Sequence, residues 1–311
     1  MVLLERLSSN NFENFKTLNL ERFSKESYDK NFFEYYENEK FFLKIFLKKF
    51  VKLFIYNKKV IGYIWYEVPV EIPVRVWSLY VKPEYLNLLS SDILNSFNNS
   101  VLSYETCDDE TNNEMLSKLG FKKVKPSILM SMDLKNYTKE QQTDKLLSSL
   151  KGNSYLLEKI NILYNSNMAN IKISIEKVIL NKDEELRCKL QNSIFSASTR
   201  IPLEIEDIEN DIQQDYYIED LSIFIKINNV AIGYGQIIYN RDMYTVVNFG
   251  IIKEFRNFGF GKILLNSLIH KAKDMNIDEL FIRVEETNYS ALKLYNWIGF
   301  TPKSIINRWE R

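Results

Sequence analysis

Histidine, cysteine and glycine are scarce in this chain, and each scarcity narrows the chemistry it can perform. There is one histidine and there are two cysteines among 311 residues. Cys107 and Cys188 lie far apart with no C-x-x-C spacing, so neither a disulfide framework nor a zinc site can be assembled, and no metal is expected. Both read as buried thiols. No stretch approaches the roughly 20 consecutive apolar residues of a membrane-spanning helix, and Met1-Val2-Leu3-Leu4-Glu5-Arg6 lacks the long apolar core of a signal peptide. The expectation is a cytoplasmic protein with no membrane partner. Charge of one sign is missing too: 41 Lys and Arg balance 41 Asp and Glu, which removes the overall field that would attract nucleic acid, and no nucleic-acid partner is expected. What is plentiful is material for burial. A hydrophobic content of 45%, with 14% aromatics, is ample for two cores in a chain of this length.

Two of the nine glycines stand one residue apart in Arg256-Asn257-Phe258-Gly259-Phe260-Gly261-Lys262. This heptapeptide sits between a strand-like run, Tyr244 to Ile252, and an amphipathic helix running to about Asn276. In that helix Leu264, Leu265, Leu268, Ile269, Ala272 and Met275 recur with the 3.6-residue period, leaving Lys262, Asn266, His270, Lys273 and Asp274 outside the stripe. His270 falls more than two turns beyond the glycines and reads as a surface residue, not a general base. Glycines at 259 and 261 let a diphosphate approach the backbone, while the helix start offers unpaired N–H groups and the positive end of its dipole. The turn therefore reads as a phosphate cradle. The plainer alternative is a glycine-containing strand-to-helix turn with no ligand.

After the helix come a short strand, Glu279 to Glu285, and the run Thr287-Asn288-Tyr289-Ser290-Ala291-Leu292-Lys293-Leu294-Tyr295-Asn296-Trp297-Ile298-Gly299-Phe300, with Gly299 as a helix C-cap. The pattern N-x-x-A-x-x-L-Y-x-x-x-G-F, following R-x-x-G-x-G at this distance, resembles the GNAT superfamily of acyl-CoA-dependent N-acetyltransferases over about residues 171 to 305. The resemblance implies an α+β (α/β/α) fold, a mixed and mostly antiparallel twisted sheet flanked by helices, with acetyl-CoA as cosubstrate. It further implies that Arg256, Asn257, Phe258, Gly259, Phe260, Gly261 and Lys262 hold the pyrophosphate. The strand backbone at Phe249, Gly250, Ile251 and Ile252 would hydrogen-bond the pantetheine arm, Asn288 would contact it, and Tyr295 would protonate the departing thiolate.

The first half echoes the second. Val51 to Ile64 reads as a hairpin turning at Asn57-Lys58 and ending Val60-Ile61-Gly62-Tyr63, as Ile223 to Ile227 turns at Asn228-Asn229 into Val230-Ala231-Ile232-Gly233-Tyr234. Trp77 to Tyr85 parallels the strand before the cradle, and Leu119-Gly120-Phe121 parallels Ile298-Gly299-Phe300. The expectation is a tandem pair of GNAT folds, residues 1–135 and 171–311, joined by a helical connector over 136–170. The copies are unequal. Leu86, Leu89 and Ser91 stand opposite Arg256, Gly259 and Gly261, and Leu116 and Asp109 stand opposite Tyr295 and Asn288. The first copy is expected to be a degenerate structural partner without CoA. Within it, Phe32 to Tyr56, with Lys44, Lys48, Lys49 and Lys52, has two readings: a basic membrane-surface helix, or a packed helix leading into the first hairpin with its lysines on the solvated face. The second is preferred.

Acyl transfer to an amine needs a base for the amine, a donor for the carbonyl oxygen and an acid for the thiolate. Backbone N–H near Gly250-Ile251 and the phenol of Tyr295 supply the last two. The family's strand glutamate is absent, because Val247 holds its position and Asn248 follows. A water chain, or Glu285, Glu204 or Glu206, would have to serve. The acceptor segment, Asp183 to Asp220, includes eight carboxylates and no lysine or arginine between Ile201 and Asp220, a field that would attract a cationic amine, with a solvated helix face as the plainer and preferred reading. The expected function is acetyl transfer from acetyl-CoA to a primary amine of a small-molecule acceptor. The alternative is a non-catalytic CoA-binding sensor.

Overall fold

The computed structural model describes residues 1–25, 27–68, 73–97, 100–135, 137, 140–165, 169–196 and 201–311, and for 140–143 the backbone alone. Residues 136, 138–139 and 166–168 of the expected connector, and 197–200 of the expected acceptor segment, lie outside the described residues. In chain order the elements are β1 (Leu3–Arg6), α1 (Phe12–Phe23), α2 (Phe32–Asn38), α3 (Phe41–Lys48), β2 (Val51–Tyr56), β3 (Lys59–Tyr66), β4 (Val74–Val81), β5 (Leu102–Cys107), α4 (Glu110–Lys118) and β6 (Lys122–Asp133). There follow α5 (Glu140–Lys151), α6 (Ser154–Leu163), β7 (Ile173–Lys177), α7 (Glu184–Ile194), α8 (Ile205–Ile212), β8 (Tyr217–Ile227), β9 (Val230–Asn240), β10 (Met243–Ile251), α9 (Phe260–Asp274), β11 (Glu279–Glu285), α10 (Tyr289–Ile298) and β12 (Thr301–Glu310).

The chain divides into two compact units, Met1–Ile128 with Ser304–Arg311, and Leu129–Lys303. The division differs from the boundaries read from the sequence, because the last eight residues belong to the first unit. There Ile306 to Glu310 pair antiparallel with Ser103 to Cys107, and Ile306 and Trp309 are buried. In the first unit β1 to β4 form antiparallel neighbours in sequence order, and β4 runs parallel to β5. Alternation puts Leu53, Tyr63 and Trp65 on one face with Phe15, Leu18 and Phe32, and Phe54, Ile64, Leu79 and Leu102 on the other with Met115 and Leu116. In the second unit β7 to β10 are antiparallel neighbours, with β11 parallel to β10.

The two hairpins read as equivalent do share their geometry. Asn57 and Lys58 have φ of 46° and 61°, and Asn228 and Asn229 have 47° and 72°, the left-handed pair of a two-residue turn. Gly62 in β3 lies against the Tyr80 carbonyl, and Gly233 in β9 lies against the Gly250 carbonyl, so a side chain at either place would collide with the next strand. Downstream the units diverge. Where the second unit builds the 15-residue α9, the first has two short 3-10 segments, Pro83–Leu88 and Ser91–Phe97.

Two expectations are corrected. The stripe of α9 includes Asn266, buried and accepting a hydrogen bond from the Tyr137 hydroxyl, whereas Met275 caps the helix and is exposed. In the stretch 32–56, a break at Glu39-Lys40 separates α2 from α3, and α3 buries none of its residues. Phe41, Phe42, Leu43, Ile45 and Phe46, not only its lysines, face water.

Candidate active site

The site begins where β10 leaves β11. These parallel strands pair only through Thr245↔Phe281 and Val246↔Ile282. Beyond, β10 carries a bulge between Val247, opposite Gln236, and Gly250, opposite Tyr234. Asn248 supplies the extra residue with φ of 50°. A bulge turns its strand and increases the local twist, so the main chain at Phe249 stands at the opening between two diverging strands. The Phe249 ring lies 6.2 Å from that of Tyr295 and beside Gly261.

From Arg256 onward the chain forms a concave turn. Asn257 and Gly259 have φ of 68° and 97°, and among the described residues the N–H groups of Asn257, Phe258 and Gly259 donate to no carbonyl. The first-turn N–H groups of α9, at Phe260 and Gly261, have no partner within the helix by construction. Consecutive free amides in such a turn form an anion-binding hollow, and the positive pole of a 15-residue helix adds to it. Lys262 is half-buried with its ammonium 3.6 Å over the Trp297 ring of α10.

Some residues expected at the cofactor have structural duties as well. The Arg256 guanidinium donates to the carbonyls of Ile251 at 2.9 Å and Ile194 at 2.8 Å, fastening the turn to the end of β10 and to α7. Ile252 donates its N–H to Ile232 at 2.9 Å, so this amide is taken within the sheet. Gly250 has no room for a side chain because Ile194 fills the place. Gly259 combines its positive φ with Leu146 of α5 packed 3.0 Å from where a Cβ would stand. The Phe258 ring stacks on Tyr155 of α6 at 6.1 Å, and Phe255 on Tyr164 at 6.4 Å. Helices α5 and α6 are thus built onto the cradle turn. Asn288 is the N-cap of α10 and accepts from the Ala291 N–H at 3.2 Å. Tyr295 is 7% exposed, and burial holds its phenol well above its ordinary value, so it keeps a proton to donate.

Of the carboxylates considered as bases, Glu204 caps α8 in a reciprocal capping box, and Glu206 and Glu285 are exposed at the surface. The structure brings a different one toward Val247. Gln236, its partner across the strands, donates to Asp211 at 3.4 Å. Asp211 also accepts from Arg187 and from the Tyr216 hydroxyl at 2.8 Å. The buried Arg187 guanidinium lies over the rings of Tyr234, 5.1 Å away, and Tyr217, 5.6 Å away. This group was missed in the sequence. Its signal was available in α7, where Arg187, Leu190, Gln191 and Ile194 fall on one buried stripe that two polar side chains share. Cys188 on the same helix is buried, its thiol pushed up by desolvation, and it is no nucleophile. Among the described residues no cluster of His, Cys, Asp or Glu could hold a metal, and no helix is long and apolar enough to cross a membrane.

The first unit has the same opening and fills it. Strands β4 and β5 pair through Val74↔Leu102, Arg75↔Ser103 and Val76↔Tyr104, then part. Tyr104 reaches across with its hydroxyl to Asp29 at 2.6 Å and to the Leu79 carbonyl at 3.4 Å. Asp29 is further held by Arg22 and Ser78. The residue at the same register in the second unit is Ile282, which has no polar atom to bridge with.

Residues 190–300 match the model of the Acetyltransferase (GNAT) family. Over that stretch the chain is similar to the family. The match takes in the bulged strand, the cradle and Tyr295. A curated relative, [Ribosomal protein bS18]-alanine N-acetyltransferase of Haemophilus influenzae, is 37% identical over 78 residues, 25% of this chain and 53% of that protein. The alignment therefore spans about half the relative's length. Among solved structures, a GCN5-related N-acetyltransferase from Sphaerobacter thermophilus has a TM-score of 0.65 at 11% identity, covering 100% of this chain and 95% of that one. A tandem GNAT protein from the clavulanic acid biosynthesis pathway has a TM-score of 0.59 at 11% identity, covering 100% and 98%. At such identities the likeness is one of fold, here a tandem GNAT fold over the whole chain.

Proposed function

We propose that the GNAT domain transfers an acetyl group from acetyl-CoA to a primary amine, on a small molecule or at the N-terminus of a protein. The observation that carries this is the conjunction of the diverging strands β10 and β11, the hollow of free amides over 257–261, and a protonated Tyr295 packed on Phe249. Bound acetyl-CoA supplies the activated acyl group. The amides of Asn257, Phe258, Gly259, Phe260 and Gly261 hold its pyrophosphate, with Lys262 beside them. Arg256 contributes by fixing the shape of the turn. The main chain from Phe249 to Ile251 lies along the pantetheine, and Asn288 borders it at the mouth of α10. Tyr295 donates its phenolic proton to the leaving sulfur. Val247 cannot take a proton from the amine, so Asp211, held by Arg187 and linked through Gln236 to the β9–β10 pair, orders a water for that step.

The bS18-alanine N-acetyltransferase likeness supports a peptide amine as one acceptor class, and the acidic residues of α8 favour any cationic amine equally. A CoA-binding sensor is the second reading, supported by the valine in the base position. Thiol release from acetyl-CoA, measured against a panel of amino acids, polyamines, aminoglycosides and N-terminal peptides, separates them. Turnover with a member of the panel is expected. Binding of acetyl-CoA without turnover on any of them would favour the sensor.

A further inference from the structure

One surface feature that the site does not account for is α3. Phe41 is 71% exposed, Phe42 83%, Leu43 46%, Ile45 48% and Phe46 41%. At 100° per residue, Phe41, Phe42, Ile45 and Phe46 cover about 140° of the helix circumference. A stripe of that width ordinarily faces a core, and an exposed one marks an interaction surface. The helix is nonetheless anchored, because Leu47 and Phe50 pack on the cluster around Phe15, Phe32 and Trp65, and the Phe46 and Phe50 rings meet edge to face at 5.0 Å. The outward direction of the stripe is therefore set by the fold. From its N-cap onward the charge is of one sign: Lys40 to Lys52 includes five lysines and no carboxylate, with Glu37 and Glu39 before it.

We propose that α3 docks the first unit on an anionic lipid surface, with Phe41, Phe42, Ile45 and Phe46 set shallowly among the acyl chains, Lys40 and Lys49 beside the headgroup phosphates, and Lys44 and Lys48, held over the Tyr36 and Phe12 rings, adding to the positive field behind them. The charge selects the occupant. A second copy meeting this face with its own would set lysines against lysines, and a helix of eight residues, about 12 Å long, is small beside the roughly 800 Å² per partner of a stable protein interface. A negatively charged bilayer answers both the apolar stripe and the cations, and needs no matched shape.

The test is cosedimentation of the full chain with vesicles of phosphatidylglycerol and phosphatidylcholine, against vesicles of phosphatidylcholine alone. Binding is expected to the first and not the second, and to weaken as salt is raised. The double variant Phe42→Ser with Ile45→Ser changes residues that face water. It should lower affinity for anionic vesicles at least tenfold while acetyl-CoA affinity and the sedimentation coefficient of the free protein stay as in wild type. Lys44→Gln with Lys48→Gln should remove much of the salt dependence. Absence of binding to the anionic vesicles overturns the proposal. So does binding unaffected by Phe42→Ser with Ile45→Ser, or a wild-type dimer that this variant converts to monomer, which would assign the stripe to a second copy.

Discussion

At the scale of single residues, the two cradle glycines are not equivalent. Gly259 is required twice by the fold, through its φ of 97° and through Leu146, so any side chain there strains the turn whether or not a ligand binds. Gly261 has ordinary helical backbone, and a Cβ would meet only the Leu294 side chain at 3.3 Å and the Phe249 ring at 3.9 Å. Gly261→Val is accordingly the discriminating variant. It should keep its circular dichroism and lose acetyl-CoA affinity by tenfold or more in calorimetry; unchanged affinity in the folded variant would remove the turn from the cofactor site. Tyr295→Phe deletes one hydroxyl and keeps the ring against Phe249 and Phe300. If the phenol is the acid, turnover should fall about ten- to a thousandfold with acetyl-CoA affinity little changed. Equal turnover by both proteins would leave Tyr295 a packing residue.

At the scale of elements, the contrast between Tyr104 and Ile282 decides how many cofactors the chain takes. The opening between β4 and β5 is closed by a phenol whose partners are the Asp29 carboxylate and the Leu79 carbonyl, and among the described residues two short 3-10 segments follow in place of a long helix that would offer its amides. Titration should saturate at one CoA per chain, and two equivalent sites would refute the assignment of the first unit as an internally filled copy. The strand, turn and helix signals behind this contrast were legible because they are local. Periodicity marked β10, α9 and β11, and Asn57-Lys58 and Asn228-Asn229 marked the hairpins. What the sequence could not fix was direction and distance. Periodicity says which residues of α3 share a face, not that the face points to water. The linkage of Arg187, Asp211 and Gln236 joins positions remote in the chain, and the second duty of Arg256 depends on a carbonyl in α7. Even so, a cation and an amide in the buried stripe of α7 were a visible violation of pattern, the kind expected near functional sites.

At the scale of the molecule, the chain's last segment and its buried phenols set how the fold fails. Residues 304–311 complete the first unit, so ending the chain at Lys303 would bare the edge of β5 and remove the buried Ile306 and Trp309. The expected result is loss of the first unit's thermal transition or a large downward shift of it, while a transition unchanged from wild type would contradict the pairing. The phenols make a pH prediction of definite sign. Tyr63 and Tyr104 in the first unit, and Tyr234 and Tyr295 in the second, are each held above the ordinary tyrosine value, chiefly by burial. A group whose folded-state pKa is raised keeps its proton more firmly when folded. Its contribution to stability is therefore full below its unfolded value, about pH 10, and is lost as pH rises beyond it. The urea midpoint should hold steady as pH approaches 10 and fall above it. In the same range tyrosinate absorbance should appear in two stages, the exposed tyrosines first and these four, with the other buried rings, together with loss of the fold. Smooth ionisation of all 19 tyrosines near pH 10 in a protein that remains folded would contradict the burial of these rings.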